Sequence, residues 1–122
     1  MKKNETIQNY LEAIHILSLK NREVRSIDVA NYLGFSRPTV SIALRDLEEK
    51  GYISFDNTKV VLTEKGKDVA TSMYERHEYI ARLLIKLGVD EKIAYEDSCL
   101  IEHDISQESF EAIKNATKDF VK

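Results

Sequence analysis

Cys99, Glu102 and His103 are the residues best placed to do chemistry, because a helix advances about 100° per residue and their i, i+3, i+4 spacing sets all three on one face. Thiolate, carboxylate and imidazole together form a donor set for a divalent transition metal. Three side chains on one face still leave coordination incomplete. His77, between Arg76 and Glu78, and Glu12, which follows Tyr10-Leu11 near Asn9, are candidate ligands from two other helices. Each residue alone has an ordinary reading, since a lone cysteine usually packs as a small core residue and a lone histidine is usually a satisfied surface or core group. The three together resist it, because carboxylates are rarely buried without a partner. His15 is read as non-functional.

Positioning these groups requires a set of helices that the apolar spacing supplies. Thr6 is expected to cap a first helix with Ile7, Tyr10, Leu11, Ile14 and Leu17 along one stripe, ending near Asn21. Ser26 is expected to cap a second, with Ile27, Val29, Ala30 and Leu33 inward and Gly34 at its end. Ser36 caps a third, tolerating Pro38 in its first turn and pointing Val40, Leu44 and Leu47 inward until Gly51. Two short helices joined by a tight glycine-containing turn form a helix-turn-helix. Tyr52–Phe55 and Val60–Thr63 flank the turn-forming Asp56-Asn57-Thr58-Lys59 and predict a hairpin, which makes the module winged. Thr63 then caps a long helix to about Leu87, stopped by Gly88. A helix from Asp90 to His103 carries the triad, and Ser106 caps a last one through about Val121. The expected fold class is mainly α with a small β-hairpin wing: a winged helix-turn-helix DNA-binding domain at residues 1–66 and a helical metal-binding and dimerisation domain at 67–122.

The third helix is the expected recognition helix, since the N-terminal residues of such helices reach base edges in the major groove. Arg37, Thr39, Ser41 and Arg45 lie on its outer side. Arginine can bond guanine in bidentate fashion, and Ser36 with the helix start can meet phosphate. Pro38 belongs to the same short segment, and Thr58 and Lys59 at the wing tip are expected to touch the DNA backbone.

Charge divides unevenly along a chain of 122 residues with net charge −3. Residues 1–67 hold 11 Lys/Arg against 9 Asp/Glu, and residues 68–122, which carry His77, Cys99, Glu102 and His103, hold 7 against 12. Apolar positions Val69, Met73, Ile80, Leu83, Leu84 and Leu87, with Phe110, Ile113 and Phe120, exceed what a small winged domain covers and predict a homodimer. No stretch approaches the roughly 18 apolar residues of a membrane span, and the start Met1-Lys-Lys-Asn-Glu lacks an apolar signal region. A cytoplasmic location is expected, and one cysteine permits no internal disulfide.

Asn9-Tyr10-Leu11-Glu12-Ala13-Ile14, Ser36-Arg37-Pro38-Thr39-Val40-Ser41, Leu62-Thr63-Glu64-Lys65-Gly66, Arg76-His77 and Cys99-x-x-Glu102-His103 resemble the diphtheria-toxin-repressor/manganese-transport-regulator (DtxR/MntR) family over nearly the whole chain. The resemblance implies a homodimeric metalloregulator that binds a palindromic operator in double-stranded DNA, in the short form that lacks an SH3-like domain. It places metal ligands at Asn9, Glu12, His77, Cys99, Glu102 and His103. Manganese-responsive members resemble the chain at Glu12 but carry a carboxylate in place of Cys99 and an aspartate in place of Asn9. Iron-responsive members resemble it at Cys99 but carry methionine in place of Asn9 and a non-acidic residue in place of Glu12. Ala81, Tyr95 and Ile80 stand where the two types place ligands of a second site. The soft thiolate makes Fe²⁺ slightly favoured over Mn²⁺. Two other classes are a winged-helix regulator indifferent to metal, with Cys99 and His103 as core and rim, and an enzyme with a Cys99 nucleophile. The enzyme reading lacks any accompanying glycine-rich turn or oxyanion-hole signature.

Overall fold

The computed structural model describes residues 2–20 and 23–122, and the expected end of the first helix near Asn21 lies outside them. It is mostly helical, with elements in the order α1 (Lys2–Lys20), α2 (Ser26–Leu33), α3 (Arg37–Glu49), β1 (Ile53–Asp56), β2 (Lys59–Leu62), α4 (Glu64–Lys86), α5 (Glu91–Ile101) and α6 (Gln107–Val121). The chain divides into two compact units, Met1–Thr71 and Ser72–Lys122, with the division falling inside α4.

The first unit is a winged helix-turn-helix built on one apolar core. Tyr10, Leu11, Ile14 and Leu17 of α1, Val29 and Ala30 of α2, Val40, Leu44 and Leu47 of α3, Ile53 of β1 and Val60 of β2 make up that core. The turn between α2 and α3 closes on Gly34, whose φ of 74° is left-handed backbone that a side chain resists. Ser36 caps α3 by accepting from the Thr39 N–H at 3.3 Å, with Pro38 in the first turn where no helical donor is missed. The hairpin pairs Asp56 with Lys59 across Asn57-Thr58, and Asn57 takes a φ of 63° that asparagine tolerates. A further backbone bond from the Val60 N–H to the Val24 carbonyl, 2.7 Å, ties the wing to the segment before α2.

Close packing fixes where α4 begins. Thr63 donates its hydroxyl to the Gly51 carbonyl at 2.6 Å and accepts from the Gly66 N–H at 3.2 Å, so one side chain joins the end of α3 to the cap of α4. A Cβ on Gly66 would lie 2.0 Å from the Tyr52 carbonyl oxygen. Only glycine fits there.

Several boundaries differ from those the sequence predicts. Thr6 lies inside α1 rather than at its N-cap position, because the preceding Lys-Lys-Asn-Glu carries no helix breaker. Arg25, not Ser26, is the N-cap of α2, and its N–H is satisfied by the Asp28 carboxylate at 2.9 Å. The strands are Ile53–Asp56 and Lys59–Leu62, each displaced by one residue toward the turn. The helix α5 ends at Ile101 rather than His103.

In the second unit, Asp90 and Ser106 cap α5 and α6 by accepting from the N–H groups of Lys92 and Ser109. Phe110 is fully buried with the Tyr79 ring edge-on at 5.9 Å, and Met73, Ile80, Ala81, Ala94 and Val121 are also buried. No helix among the described residues is long and apolar enough to cross a membrane.

Candidate metal centre and nucleic-acid interface

The C-terminal end of α5 places the donors. Glu102 is the C-cap and keeps right-handed helical dihedrals, φ −57° and ψ −28°, so the three-residue relation to Cys99 survives although the helix has ended. His103 belongs to the turn that follows. Across from them α4 presents His77. The ligand atoms of His77, Cys99 and Glu102 all lie within 4.8 Å of one another. His77 Nδ1 stands 3.6 Å from Cys99 Sγ and 3.4 Å from Glu102 Oε2. The other carboxylate oxygen, Oε1, is 3.2 Å from His103 Nε2. The Glu102 carboxylate is thus shared between two imidazoles, with the thiol on the His77 side.

Two neighbours absent from the sequence-derived ligand set hold this arrangement. Ser98, fully buried, donates to the His77 carbonyl at 2.6 Å and sits 3.0 Å from His77 Nδ1. Arg76 is buried against the Phe110 ring and donates through Nη1 to the carbonyls of Glu102 (3.0 Å) and Ile105 (2.8 Å), and through Nη2 to Gln107 Oε1 (2.8 Å). The turn that carries Glu102 and His103 is therefore pinned by one guanidinium. Nothing in a linear pattern ties Arg76 to residues 26 or more positions away; only its adjacency to His77 marked it.

Hydrogen bonding to the Cys99 sulfur, then to the Glu102 carboxylate, pushes the His77 imidazole up to about 10 against the opposing effect of burial. A proton on His77 compensates a carboxylate that is only 1% exposed. The donor chemistry fits a divalent cation, which can take over that compensation from the proton. Cys99 itself is exposed, so it is not packed as a core residue. Asn9 and Glu12 lie on α1 in the first unit, Asn9 half-buried and Glu12 buried. Tyr95, at one of the departures from the family pattern, donates its hydroxyl to Glu78 Oε1 at 3.3 Å, while Ala81 and Ile80 are buried. His15 is half-buried, and burial followed by the charge of Lys67 lowers its pKa.

On α3 the residues Arg37, Pro38, Thr39, Ser41 and Arg45 are all exposed, as is Thr58 in the wing turn. Arg37, Ser41 and Thr58 line one cavity of about 250 Å³ together with Arg25, Ser26 and Ile27. The pattern around Arg25 and Ser26 signals a helix start and carries no mark of a shared surface with α3. Ser36 spends its hydroxyl on the cap, donating to Thr39 Oγ1 at 2.8 Å. Lys59 is half-buried and paired with Glu23 at 3.0 Å, and Glu23 also meets Arg25 at 3.5 Å.

Comparison with known proteins places this geometry. Residues 3–61 match the iron dependent repressor N-terminal DNA binding domain, and residues 63–122 match the iron dependent repressor metal binding and dimerisation domain. The transcriptional regulator MntR of Salmonella typhimurium is 37% identical over 111 residues, which are 90% of this chain and 71% of that protein. The chain belongs to the DtxR/MntR family. An uncharacterised helix-turn-helix-type transcriptional regulator of Methanocaldococcus jannaschii is 32% identical over 114 residues, 91% of each chain. The crystal structure of the metal-dependent transcriptional regulator MtsR superposes with a TM-score of 0.84 at 23% identity over 93% of this chain, and the match spans about half, 54%, of that longer chain. Members of the DtxR/MntR family are metal-dependent transcriptional repressors and not enzymes, which removes the Cys99 nucleophile reading.

Proposed function

We propose that the chain is a homodimeric repressor whose DNA affinity is set by a divalent metal at the His77, Cys99 and Glu102 donors, and that it reads a palindromic operator with two copies of α3. The reading assigns DNA binding to residues 1–66 and metal binding and dimerisation to 67–122. The observation that carries it is the convergence of imidazole, thiol and buried carboxylate within 4.8 Å at the end of α5, in a chain of this family. His103, on the second oxygen of Glu102, is a further ligand, and Asn9 and Glu12 are assigned as ligands by the family resemblance. On the DNA side Ser36, Arg37, Pro38, Thr39, Ser41, Arg45, Thr58 and Lys59 form the contact set.

A bound cation supplies the positive charge that lets thiolate and carboxylate remain ionised side by side. The chain's own residues do the rest. His77 gives up its proton, Ser98 fixes the orientation of His77, and Arg76 holds the Glu102-His103 turn in place. The loaded dimer is the state whose two recognition helices fit half-sites about one DNA turn apart.

Fe²⁺ is modestly preferred over Mn²⁺, because a sulfur donor favours metals later in the affinity series. The relatives named MntR, 37% and 29% identical, weigh toward manganese, so the metal is decided by measurement. A duplex selected from a random pool by the purified protein is titrated anaerobically with Fe²⁺ and Mn²⁺ at matched free concentration. Wild type is expected to respond to both with Fe²⁺ ahead. Cys99→Ala is expected to lose the response, and Cys99→Glu to recover one biased toward Mn²⁺. Equal responses of wild type and Cys99→Ala would remove the sulfur from the ligand set, and DNA binding unaffected by any metal would select the metal-independent regulator. Glu12→Gln separates the α1 assignment: unchanged metal affinity would exclude Glu12.

A further inference from the structure

Ile42 is 69% exposed, the most exposed of the large apolar side chains among the described residues, and it lies on α3. It stands two residues from each of the buried Val40 and Leu44, about 200° around the helix, and so points almost directly away from the core. Its neighbours on that outward face are Pro38 and Thr39, four and three residues before it, and Arg45 and Asp46, three and four after it, with Asp46 paired to Lys50 at 2.9 Å. An isoleucine at the centre of the face that enters the major groove gains nothing within its own protomer.

We infer that Ile42 is a specificity-determining residue that packs on the C5-methyl group of a thymine in the operator. The inference rests on the DNA-binding reading and goes beyond it. Along the edges of base pairs in the major groove, the thymine methyl is the apolar group on offer; the remaining positions present hydrogen-bond donors and acceptors. A branched alkyl side chain held against any other edge leaves those polar groups without partners, so Ile42 rewards thymine and penalises its alternatives. Pro38 precedes Ile42 by one helical turn, about 6 Å along the axis, and therefore faces a position about two base steps away. Apolar readout at Ile42 stands between polar readout by Thr39 and Arg45, which gives one half-site a mixed pattern.

Uracil keeps every hydrogen-bonding group of thymine and lacks only the methyl, so it isolates the contact. A duplex selected by wild type from a random pool in the presence of Mn²⁺ is resynthesised with each thymine replaced in turn by uracil. Wild type is expected to bind about 3- to 6-fold more weakly at one thymine of each half-site, the worth of one buried methyl group. Ile42→Ala is expected to be indifferent at that position while retaining any penalty at the others, and its circular dichroism should match wild type because the side chain is exposed. Ile42→Gln is expected to select adenine at the same position, since glutamine bonds adenine N6 and N7. Equal binding of thymine and uracil duplexes by wild type overturns the inference, and so does the same uracil penalty in Ile42→Ala. Failure of metal-loaded wild type to retain any duplex would instead overturn the DNA-binding reading itself.

Discussion

His77 links the acid–base state of the site to its occupancy. Its imidazole is raised to about 10 by the Cys99 sulfur and the Glu102 carboxylate, so at neutral pH the metal-free protein holds a proton where a cation would bind. In the metal-free protein a raised folded-state pKa means stability that is fully present below the ordinary histidine value of about 6.5 and is lost as pH climbs through about 10. Metal binding runs the other way. With one proton released per ion, the apparent affinity is expected to tighten about 100-fold between about pH 6.5 and 8.5, and more steeply if the thiol also ionises on binding. Competition titration with a chelator of known affinity measures this, and a flat profile would exclude His77 as a ligand. At this scale the sequence was informative where spacing along one helix carried the geometry, as for Cys99 and Glu102. It could not reveal that Cys99 pairs with His77 while His103 takes the opposite oxygen of Glu102, because the end of α5 at Ile101 sends His103 into a turn. Ser98 and Arg76 act through long-range backbone bonds that leave no periodic trace.

The elements were legible in proportion to how strongly local chemistry set their ends. Ser36, Asp90 and Ser106 are short polar side chains before apolar helical stripes, and each is an N-cap as that pattern requires. Thr6 had the same signature without that role, since helix formers before it carried α1 further back. The junction of α3, the wing and α4 depends instead on closeness of backbone. Gly66→Ala should force a methyl group onto the Tyr52 carbonyl, 2.0 Å away, and the helix start or the wing must shift. A loss of about 1–3 kcal/mol is expected from such overpacking. Denaturant unfolding followed by far-ultraviolet circular dichroism checks it: a midpoint equal to wild type would mean that α4 can move without cost. Operator affinity in the same variant should fall further than metal affinity, because Gly66 belongs to the first unit and the donors His77, Cys99, Glu102 and His103 to the second.

For the molecule as a whole, the apolar residues counted toward association divide in two, with Leu87, Ile113 and Phe120 exposed and others of the set turned inward. Met73, Ile80 and Phe110, counted from the sequence toward a dimer surface, are buried within the protomer at 4%, 5% and 0% exposure and have nothing left to offer a partner. Period alone cannot separate a stripe that faces the protein's own core from one that faces a second copy. The exposed apolar residues of the second unit are Ile85, Leu87, Ile93, Leu100, Ile101, Ile113 and Phe120, on α4, α5 and α6 or in the loop after α4. Leu100 and Leu87, 68% and 63% exposed, are the most exposed of these seven. They lie within the segment matching a metal binding and dimerisation domain. Sedimentation equilibrium of the metal-free protein is expected to give a dimer of about 28 kDa, twice the 14.1 kDa chain. Leu100→Glu combined with Leu87→Glu should bury charge at that interface and yield a monomer with unchanged helix content. Each monomer keeps its DNA-contacting face but offers a single half-site contact, so operator affinity should collapse while His77, Cys99 and Glu102 still bind metal. A wild-type protein that sediments as a monomer at tens of micromolar would rule out the dimer, and with it the reading of a two-fold operator.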